Sequence, residues 1–280
     1  MSRDTNFYYS FLVLPSGKRR AIIAVWDFCR AVDDAVDAAP ADRGQVEHDV
    51  ELQRWRGELA RCFGEDEPAT PEGRRLKPFI NRFGLPRQPF EDLIDGVGMD
   101  VGPRRYETFD DLYDYCLHVA STVGLICIEI FGYRNEGARD YAIALGVALQ
   151  LTNIIRDVPT DLENGRVYLP MEDLRRFGCD DEDLRAGASD AVRALLAFEC
   201  ERARSFYAKA AGSLPGEDAY RLVAAEIMGA IYMAILERIE RRRYDVFSEV
   251  VRVPRPRRAL IALSMWIRTA LRVVLGTQGT

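Results

Sequence analysis

Two groups of acidic residues have a spacing suited to holding divalent cations. The first is R-A-V-D-D-A-V-D at residues 30–37, and it follows an apolar segment. On a helix, Asp33 and Asp37 are at i and i+4 and share one face, with Arg30 one turn earlier. Asp34 is rotated by about 100° from Asp33 and contributes less to that face. The plain structural alternative is a solvated acidic helix end.

The second group is Q-L-T-N-I-I-R-D-V-P-T-D at residues 150–161. Asn153, Asp157 and Asp161 recur every four residues and form a polar stripe about 12 Å long on a helix. The alternative is that the helix simply ends here, with Asn153 as a satisfied core amide. That alternative is weak because Gln150 and Asn153 stand inside an apolar run, where an unpaired polar group is costly.

The two groups together predict a site for a diphosphate bridged by metal ions. Carboxylates on two facing helices repel each other and are driven toward protonation unless cations neutralise them. Mg²⁺ keeps several waters, takes one or two carboxylates and uses phosphate oxygens for the rest. Such a site is suited to removing a diphosphate from an allylic carbon, because the metal and basic side chains stabilise the departing charge.

The elements that must position these residues are helices. Helical periodicity dominates the chain, and β-branched runs of strand length are nearly absent. Residues 119–132 and 141–155 are apolar on every side, which indicates the centre of a bundle. We therefore predict an all-α fold with a single domain over residues 1–280. The predicted helices are 17–38, 43–62, 72–84, 87–100, 107–132, 135–160, 181–213, 217–243 and 256–274.

Composition excludes several classes of protein. The 280 residues are 48% hydrophobic and 29% charged, typical of a globular protein, and the net charge of -6 argues against nucleic acid. The six cysteines form no C-x-x-C pair, which argues against zinc and favours a reducing compartment. The two histidines have no nucleophile motif beside them, against a triad hydrolase. We find no clear signal peptide or membrane span and predict a cytoplasmic protein.

Several motifs in order along the chain resemble those of the squalene/phytoene synthase family. They are N-F-Y-Y-S-F near the start, D-D-A-V-D after F-C-R, Y-C-L-H-V-A-S-T-V-G-L at 115–125, the second acidic motif followed by N-G-R-V-Y-L-P, A-A-E-I-M-G-A-I-Y at 224–232 and R-R-Y-D-V-F at 242–247. The resemblance implies a class I isoprenoid synthase-like helical bundle with a central active-site cavity. It also implies a prenyltransferase that joins two isoprenoid diphosphates head to head.

The resemblance implies roles for individual residues. Mg²⁺, with Mn²⁺ as a substitute, would lie between Asp33, Asp37, Asp157 and Asp161, and Tyr115 would be catalytic. The departing diphosphate and Tyr115 are both candidates for the proton acceptor. Substrate contacts would come from Phe7, Arg30, Gln150, Asn153, Arg166, Tyr168 and Tyr244, among which the aromatic faces suit a carbocation.

Two departures from the family pattern affect these roles. Pro159-Thr160 stands where many relatives have Gly-Glu, and a proline inside a helix puts the register of Asp161 with Asp157 in doubt. Asp4-Thr5-Asn6-Phe7 replaces a His-Ser-Lys-Ser-Phe-like segment, so diphosphate contacts from that segment cannot be carried over.

The motifs look more like the presqualene diphosphate synthases of bacterial hopanoid pathways than like phytoene synthases. On that reading two farnesyl diphosphates give presqualene diphosphate and diphosphate. NADPH is not expected for this step, and we find no dinucleotide fingerprint. The alternatives are a phytoene synthase acting on geranylgeranyl diphosphate, a full NADPH-dependent squalene synthase, a class I terpene cyclase, a head-to-tail chain elongator, and a non-catalytic helical membrane-associated binding protein.

Residues 255–275 are basic at their start and apolar beyond, with Trp266 in the apolar part. This segment predicts either peripheral contact with the inner face of the membrane or a last helix packed on the bundle. Membrane contact would assist hand-over of a greasy product to a downstream squalene-forming enzyme.

Overall fold

The computed structural model describes residues 7–37, 45–101 and 105–276, with the side chains of 7, 36, 37, 45 and 272–276 outside that description. Across these ranges it is helical with no strand, which confirms the predicted all-α class. The helices are α1 Phe7–Leu12, α2 Ser16–Asp37, α3 Gln45–Phe63, α4 Pro71–Phe83, α5 Gln88–Met99, α6 Phe109–Cys116, α7 Thr122–Phe131, α8 Gly137–Glu163, α9 Met171–Arg176, α10 Asp181–Ala186, α11 Asp190–Ser213, α12 Val223–Arg241 and α13 Arg255–Gly276.

The predicted helix boundaries differ from the observed ones where local chemistry interrupts the pattern. The predicted helix 181–213 is two helices, because Gly187 takes a φ of 102° and Ser189 then caps α11 by accepting a hydrogen bond from the Val192 N–H. The short helices α1 and α9 were not predicted.

The centre of the bundle is the long helix α8, with α7 and α11 packed against it. A five-residue π-helical turn, Leu117–Ser121, joins α6 to α7 and lies directly on α8. The approach is close because a Cβ on Gly146 of α8 would lie 2.7 Å from the Cα of Ser121. Gly124 likewise faces the Ala142 carbonyl oxygen at 2.9 Å from its would-be Cβ. Small residues here let two backbones approach closely.

The same run, Phe109–Phe131, is long and apolar enough to cross a membrane by length and composition. It packs against α8 and α5 in the middle of the bundle. A core helix passes this test as readily as a membrane span does, so the finding carries no further conclusion.

Helix α8 continues through Pro159 to Glu163. Asp157 and Asp161 therefore lie one turn apart on a single helix, so the proline does not change their register along the backbone. The interruption is limited to the hydrogen bond that the missing proline N–H would have donated.

Candidate active site

A chamber of about 550 Å³ lies between α2, α5, the α6–α7 segment, α8 and α12. Most of its charged side chains come from the C-terminal halves of α2 and α8, Asp100 comes from the end of α5, and most of the remaining wall is apolar. Tyr141 and Asp157 both line it and are sixteen residues apart on α8, which corresponds to roughly 24 Å along the helix. The chamber is therefore long, with charge at one end. Further lining residues are Phe11, Ile22, Val25, Trp26, Cys29, Leu93, Val97, Val119, Ala120, Val123, Cys127, Phe131, Ala142, Leu145, Leu149, Ala224, Ala225, Met228 and Tyr232.

Helix α2 brings Arg30 and Asp33 to the polar end of the chamber. Both side chains are exposed to solvent at this mouth. Arg30 also lies 3.5 Å from Asp34, which is not a lining residue. Asp33 is therefore the described carboxylate of this motif that faces the chamber, while the side chain of Asp37 lies outside the described residues.

Helix α8 presents Gln150, Asn153 and Asp157 to the same end. The Asn153 Nδ2 group donates a long hydrogen bond to Gln150 Oε1, at 3.4 Å. The buried Asn153 Oδ1 has no hydrogen-bond partner among the described residues. Leaving a buried acceptor unpaired costs about 1–3 kcal/mol, so this atom indicates that a ligand group or water belongs there.

Asp157 is held by its sequence neighbour Arg156. The Arg156 Nε and Nη2 groups donate to the two Asp157 oxygens at 2.8 and 2.5 Å. The Arg156 side chain is largely buried and also lines the chamber. A charge-assisted bidentate pair fixes the orientation of the carboxylate, so Asp157 is presented to the chamber in one defined position.

Asp161 lies beside this pair and lines a small adjoining cavity together with Arg166 and Tyr168. Burial and the negative charge of Asp157 raise the pKa of Asp161 to about 7, and Arg166 only partly opposes them. Asp161 therefore holds its proton to a higher pH than an ordinary aspartate does, mainly because it is buried.

Asp100, at the end of α5, was not predicted as a site residue. It is buried and accepts hydrogen bonds from the hydroxyls of Tyr115 and Tyr168, at 2.7 and 2.8 Å. Burial and the Asp100 charge raise the pKa of both phenols. Tyr115 therefore retains its proton and acts as a donor toward Asp100, while Tyr115 and Asp100 both border the chamber.

The remaining predicted site residues lie elsewhere. Tyr244 occupies a left-handed turn after α12 with a φ of 62° and lines neither the chamber nor the small cavity. Phe7 begins α1, but its side chain lies outside the described residues. The structure thus assembles Arg30, Asp33, Tyr115, Gln150, Asn153 and Asp157 around one chamber, with Asp161, Arg166 and Tyr168 next to it.

Sequence reasoning missed several polar or aromatic residues of the chamber, including Trp26, Asp100, Arg156 and Tyr232. Trp26 is one turn before Arg30 on α2, so helical spacing from a predicted site residue was a usable signal. Tyr232 is the last residue of the motif at 224–232, which was noted only for its resemblance to the family. Arg156 was inside the second acidic motif. Asp100 had no local signal, because only the packing of α5 against the π-helical turn brings it to Tyr115.

The polar end fits Mg²⁺ bound together with a diphosphate. Among the described residues, no three Asp, Glu, His or Cys side chains are already gathered as a metal site. Mg²⁺ does not require such a cage, because it takes one or two carboxylates and fills its other positions with water and phosphate oxygens. The unpartnered Asn153 oxygen fits a polar ligand, and the negative charge of Asp157 beside the buried Asp161 fits added positive charge.

Known proteins are similar to this chain in sequence. The chain is 38% identical to 15-cis-phytoene synthase of Synechocystis over 94% of its own length and 81% of the relative. It is 35% identical to the chloroplastic phytoene synthase 2 of Solanum lycopersicum, over 91% of this chain and 83% of that one.

Two solved structures superpose on this chain over most of its length. A dehydrosqualene synthase in complex with ligand superposes with a TM-score of 0.84 and 28% identity, covering 96% of this chain and 93% of that chain. Squalene synthase HpnC of Alicyclobacillus acidocaldarius superposes with a TM-score of 0.75 and 34% identity over 86% and 89% of the two chains. The family model for squalene/phytoene synthase matches residues 1–263. With that match over nearly the whole chain, the protein belongs to the squalene/phytoene synthase family of prenyltransferases.

Proposed function

We propose that this enzyme joins two molecules of farnesyl diphosphate head to head and releases presqualene diphosphate and diphosphate. The observation that carries the proposal is the chamber itself, which combines an acidic, arginine-bearing end with a long apolar interior. One end suits a metal-bridged diphosphate and the other suits isoprenoid chains.

The metal would be held by Asp33 and Asp37 of α2 and by Asp157 and Asp161 of α8. When bound, Mg²⁺, or Mn²⁺ in its place, supplies positive charge that stabilises the departing diphosphate. Arg30 would add a point of attachment for phosphate oxygens, and the amides of Gln150 and Asn153 would orient them. The Asn153 Oδ1 atom, which has no hydrogen-bond partner, is available to accept a hydrogen bond from a water molecule bound to the metal or to the diphosphate.

The proposed reaction has the following bond changes. The C1–O bond of one substrate breaks and its electron pair leaves with the diphosphate. The C2–C3 double bond of the second substrate then attacks the allylic cation at C1. Loss of one proton closes the cyclopropane ring. The rings of Trp26, Tyr115 and Tyr232 line the path, where aromatic faces favour a cation and the apolar wall excludes water.

The departing diphosphate is the better candidate for the proton acceptor. Tyr115, the other candidate, donates its hydroxyl proton to buried Asp100, and its raised pKa opposes the phenolate that a base would require. We therefore assign Tyr115 to binding and orienting the cationic chain, with Asp100 and Tyr168 holding the phenol in place.

Different observations support a C15 and a C20 substrate. Large side chains, including Phe11, Phe131 and Tyr141, line the chamber, and their bulk favours a C15 chain. The alternative is a pair of C20 chains, as in a phytoene synthase, and it is supported by curated relatives that carry that name at 33–38% identity. A further alternative is that the enzyme itself reduces presqualene diphosphate to squalene with NADPH. If the enzyme stops at presqualene diphosphate, as we propose, a separate squalene-forming enzyme would receive this product.

The test is incubation of purified enzyme with Mg²⁺ and either farnesyl or geranylgeranyl diphosphate, without NADPH, followed by mass spectrometry of the lipids. We expect presqualene diphosphate from the C15 substrate. A C40 product formed from the C20 substrate alone would assign phytoene synthesis to the same site. A cyclised C15 hydrocarbon, or no product from either substrate, would overturn the two-substrate condensation. Squalene appearing only after NADPH is added would favour the full synthase.

A further inference from the structure

One face of α13 is apolar and directed to solvent. Leu260, Leu263, Ile267 and Leu271 are spaced by three and four residues and so share a face, and Trp266 adjoins it. These five side chains are 43–65% exposed. We call them the α13 face. Single exposed leucines are ordinary on a protein surface, but a contiguous row on one helix marks an interaction surface.

The opposite face of α13 is packed, so the orientation of the helix is set. Ala262 is buried in a small cluster with Val223, Ile227 and Ile231 of α12. The buried Arg258 guanidinium lies over the ring of Tyr9 at 5.5 Å from its centroid. Because this side anchors the helix to α1 and α12, the α13 face cannot turn inward without undocking the helix.

Charge indicates what the α13 face meets. Residues 250–280 contain six arginines and no aspartate or glutamate, although the whole chain has a net charge of -6. The exposed side chains of Arg257 and Arg268 are eleven residues apart, just over three turns, and so follow one edge of the α13 face. An apolar stripe with tryptophan and flanking arginines is the pattern of a helix that lies in the interface of an anionic bilayer.

The position of α13 relative to the chamber also supports a lipid bilayer as the partner of the α13 face. Ala224, Ala225 and Met228 of α12 line the chamber, while Val223, Ile227 and Ile231 on its other side contact α13. Phe11 of α1 lines the chamber as well, and α1 packs against both α12 and α13. A single helix layer therefore separates the apolar interior of the chamber from the α13 face.

We infer that the enzyme docks on anionic phospholipid bilayers through the α13 face, with Leu260, Leu263, Trp266, Ile267 and Leu271 inserted among the lipids and Arg257 and Arg268 at the headgroups. This contact would let a water-insoluble product leave the enzyme directly into the lipid bilayer, and that benefit rests on the proposed function. The docking itself depends only on the surface and is measured without substrate.

The experiment is co-sedimentation of the full chain with vesicles of phosphatidylcholine alone or of equal parts phosphatidylcholine and phosphatidylglycerol. The test variant is Leu260→Gln/Leu263→Gln/Ile267→Gln, which alters solvent-facing side chains and leaves the anchoring side intact. The matched control is Val46→Gln/Val50→Gln, which removes two exposed valines from α3. A second variant, Arg257→Gln/Arg268→Gln, removes charge without touching the apolar row.

We expect binding to the anionic vesicles, a loss of at least about tenfold in the triple variant, and wild-type binding in the valine control. The arginine variant should also lose about tenfold, and the emission of wild-type Trp266 should shift to the blue on binding, a change absent in Trp266→Phe. No sedimentation of the wild-type enzyme, or equal loss in the valine control, would overturn the inference. So would a lipid-free dimer that the triple variant converts to monomer, since a second copy would then cover the face.

Discussion

Two clusters of carboxylates among the described residues each contain a largely buried arginine, and the two are built differently. In the chamber cluster, Asp100, Asp157 and Asp161 border the chamber or its small neighbour, and Arg156 is paired with Asp157. In what we call the internal network, Asp173 of α9 and Glu199 and Arg202 of α11 are enclosed. Arg202 Nη1 donates to Asp173 Oδ2 at 2.7 Å and to both Glu199 oxygens at 2.8 Å.

Both places contain a carboxylic acid with a pKa raised to about 7. Burial is the main cause in each, aided by Asp157 beside Asp161 and by Asp173 beside Glu199. A raised pKa therefore does not distinguish a reactive site from a structural one here. The two clusters differ in the space around them. The chamber has free volume and the unpaired acceptor of Asn153. In the internal network the rings of Phe109 and Phe198 enclose the Arg202 guanidinium, at 4.2 and 4.7 Å from the ring centroids.

The largest effect expected from this comparison is the loss of activity in Asp157→Asn. The change removes a carboxylate from the site proposed for the metal and diphosphate. We expect the rate to fall about 10³-fold, equivalent to roughly 4 kcal/mol of transition-state stabilisation. Stability should change little, because the lost Arg156 partner is offset by relief of repulsion with Asp161.

Turnover assays and urea denaturation would be run on this variant beside Asp140→Asn, an exposed aspartate on the same helix. The control should keep wild-type activity. Wild-type turnover in Asp157→Asn would remove this residue from the reaction and erase the distinction between the chamber cluster and the internal network.

The converse effect is expected in the internal network. Arg202→Met leaves Asp173 and Glu199 buried without their cation, and breaking such a network typically costs about 3 kcal/mol or more. The loss should be seen in the free energy of unfolding by urea, with the activity per folded molecule retained. Arg176→Met is the matched control, because Arg176 lies over the same Phe198 ring at 4.5 Å but is exposed, and should cost less than about 1 kcal/mol.

An inactive but fully stable Arg202→Met enzyme would contradict this assignment. It would mean that the internal network acts on the reaction and that enclosure by aromatic rings does not mark a structural role.

A subtler effect is expected at Asn153, whose Oδ1 is buried and unpaired. Asn153→Leu removes an unsatisfied polar atom, so we expect equal or higher stability together with a loss of activity of about 10- to 100-fold. The neighbouring Thr152→Val is the matched control. Thr152 is buried but satisfied, since its hydroxyl bonds the Ala148 carbonyl at 2.8 Å and the Tyr207 hydroxyl at 2.9 Å.

Thr152→Val should therefore lose about 1 kcal/mol of stability and keep its activity. The two adjacent substitutions thus have opposite expected signs in denaturation and in turnover. Destabilisation by Asn153→Leu similar to that of Thr152→Val would show that Asn153 is a core amide.

The sequence could predict the internal arrangement of single helices but not where distant helices meet. The spacing of Gln150, Asn153 and Asp157 already implied one polar face on an apolar helix, and α8 has that face on the chamber. The spacing of Arg30 and Asp33 implied the same for α2. Local periodicity is sufficient for such faces because it depends only on helix geometry.

Asp100 and Tyr244 show the limit of that reasoning. Asp100 belongs to no periodic pattern, and its two tyrosine partners are 15 and 68 residues away. Tyr244 follows three arginines in a motif-like string, yet the chain turns there through left-handed φ angles at Arg243 and Tyr244. Contacts over long separations and turns at helix ends depend on packing, which a single sequence does not display.

The smallest expected effect concerns the protonation of Glu199 in the internal network. Its pKa of about 7 in the folded protein lies above the value of about 4.3 for an unfolded glutamate. Between these values the native state binds more protons than the unfolded state, so this group makes stability fall as pH rises. The fall amounts to about 1 kcal/mol per pH unit and ends above the folded pKa. Glu199→Gln should abolish it, and Glu201→Gln, at an exposed site on the same helix, should not.

The measurement is the free energy of unfolding by urea at pH 5, 6, 7 and 8 for the wild type and both variants. We expect the wild-type curve to descend relative to Glu199→Gln up to about pH 7 and then run parallel to it. Curves parallel over the whole range would mean that Arg202 keeps Glu199 ionised in the native state. The negative charges of the internal network would then be balanced by Arg202. Of the two clusters, only the chamber cluster would contain a carboxylic acid with a raised pKa. A raised pKa would then distinguish the reactive site from the structural one, which is the opposite of the present conclusion.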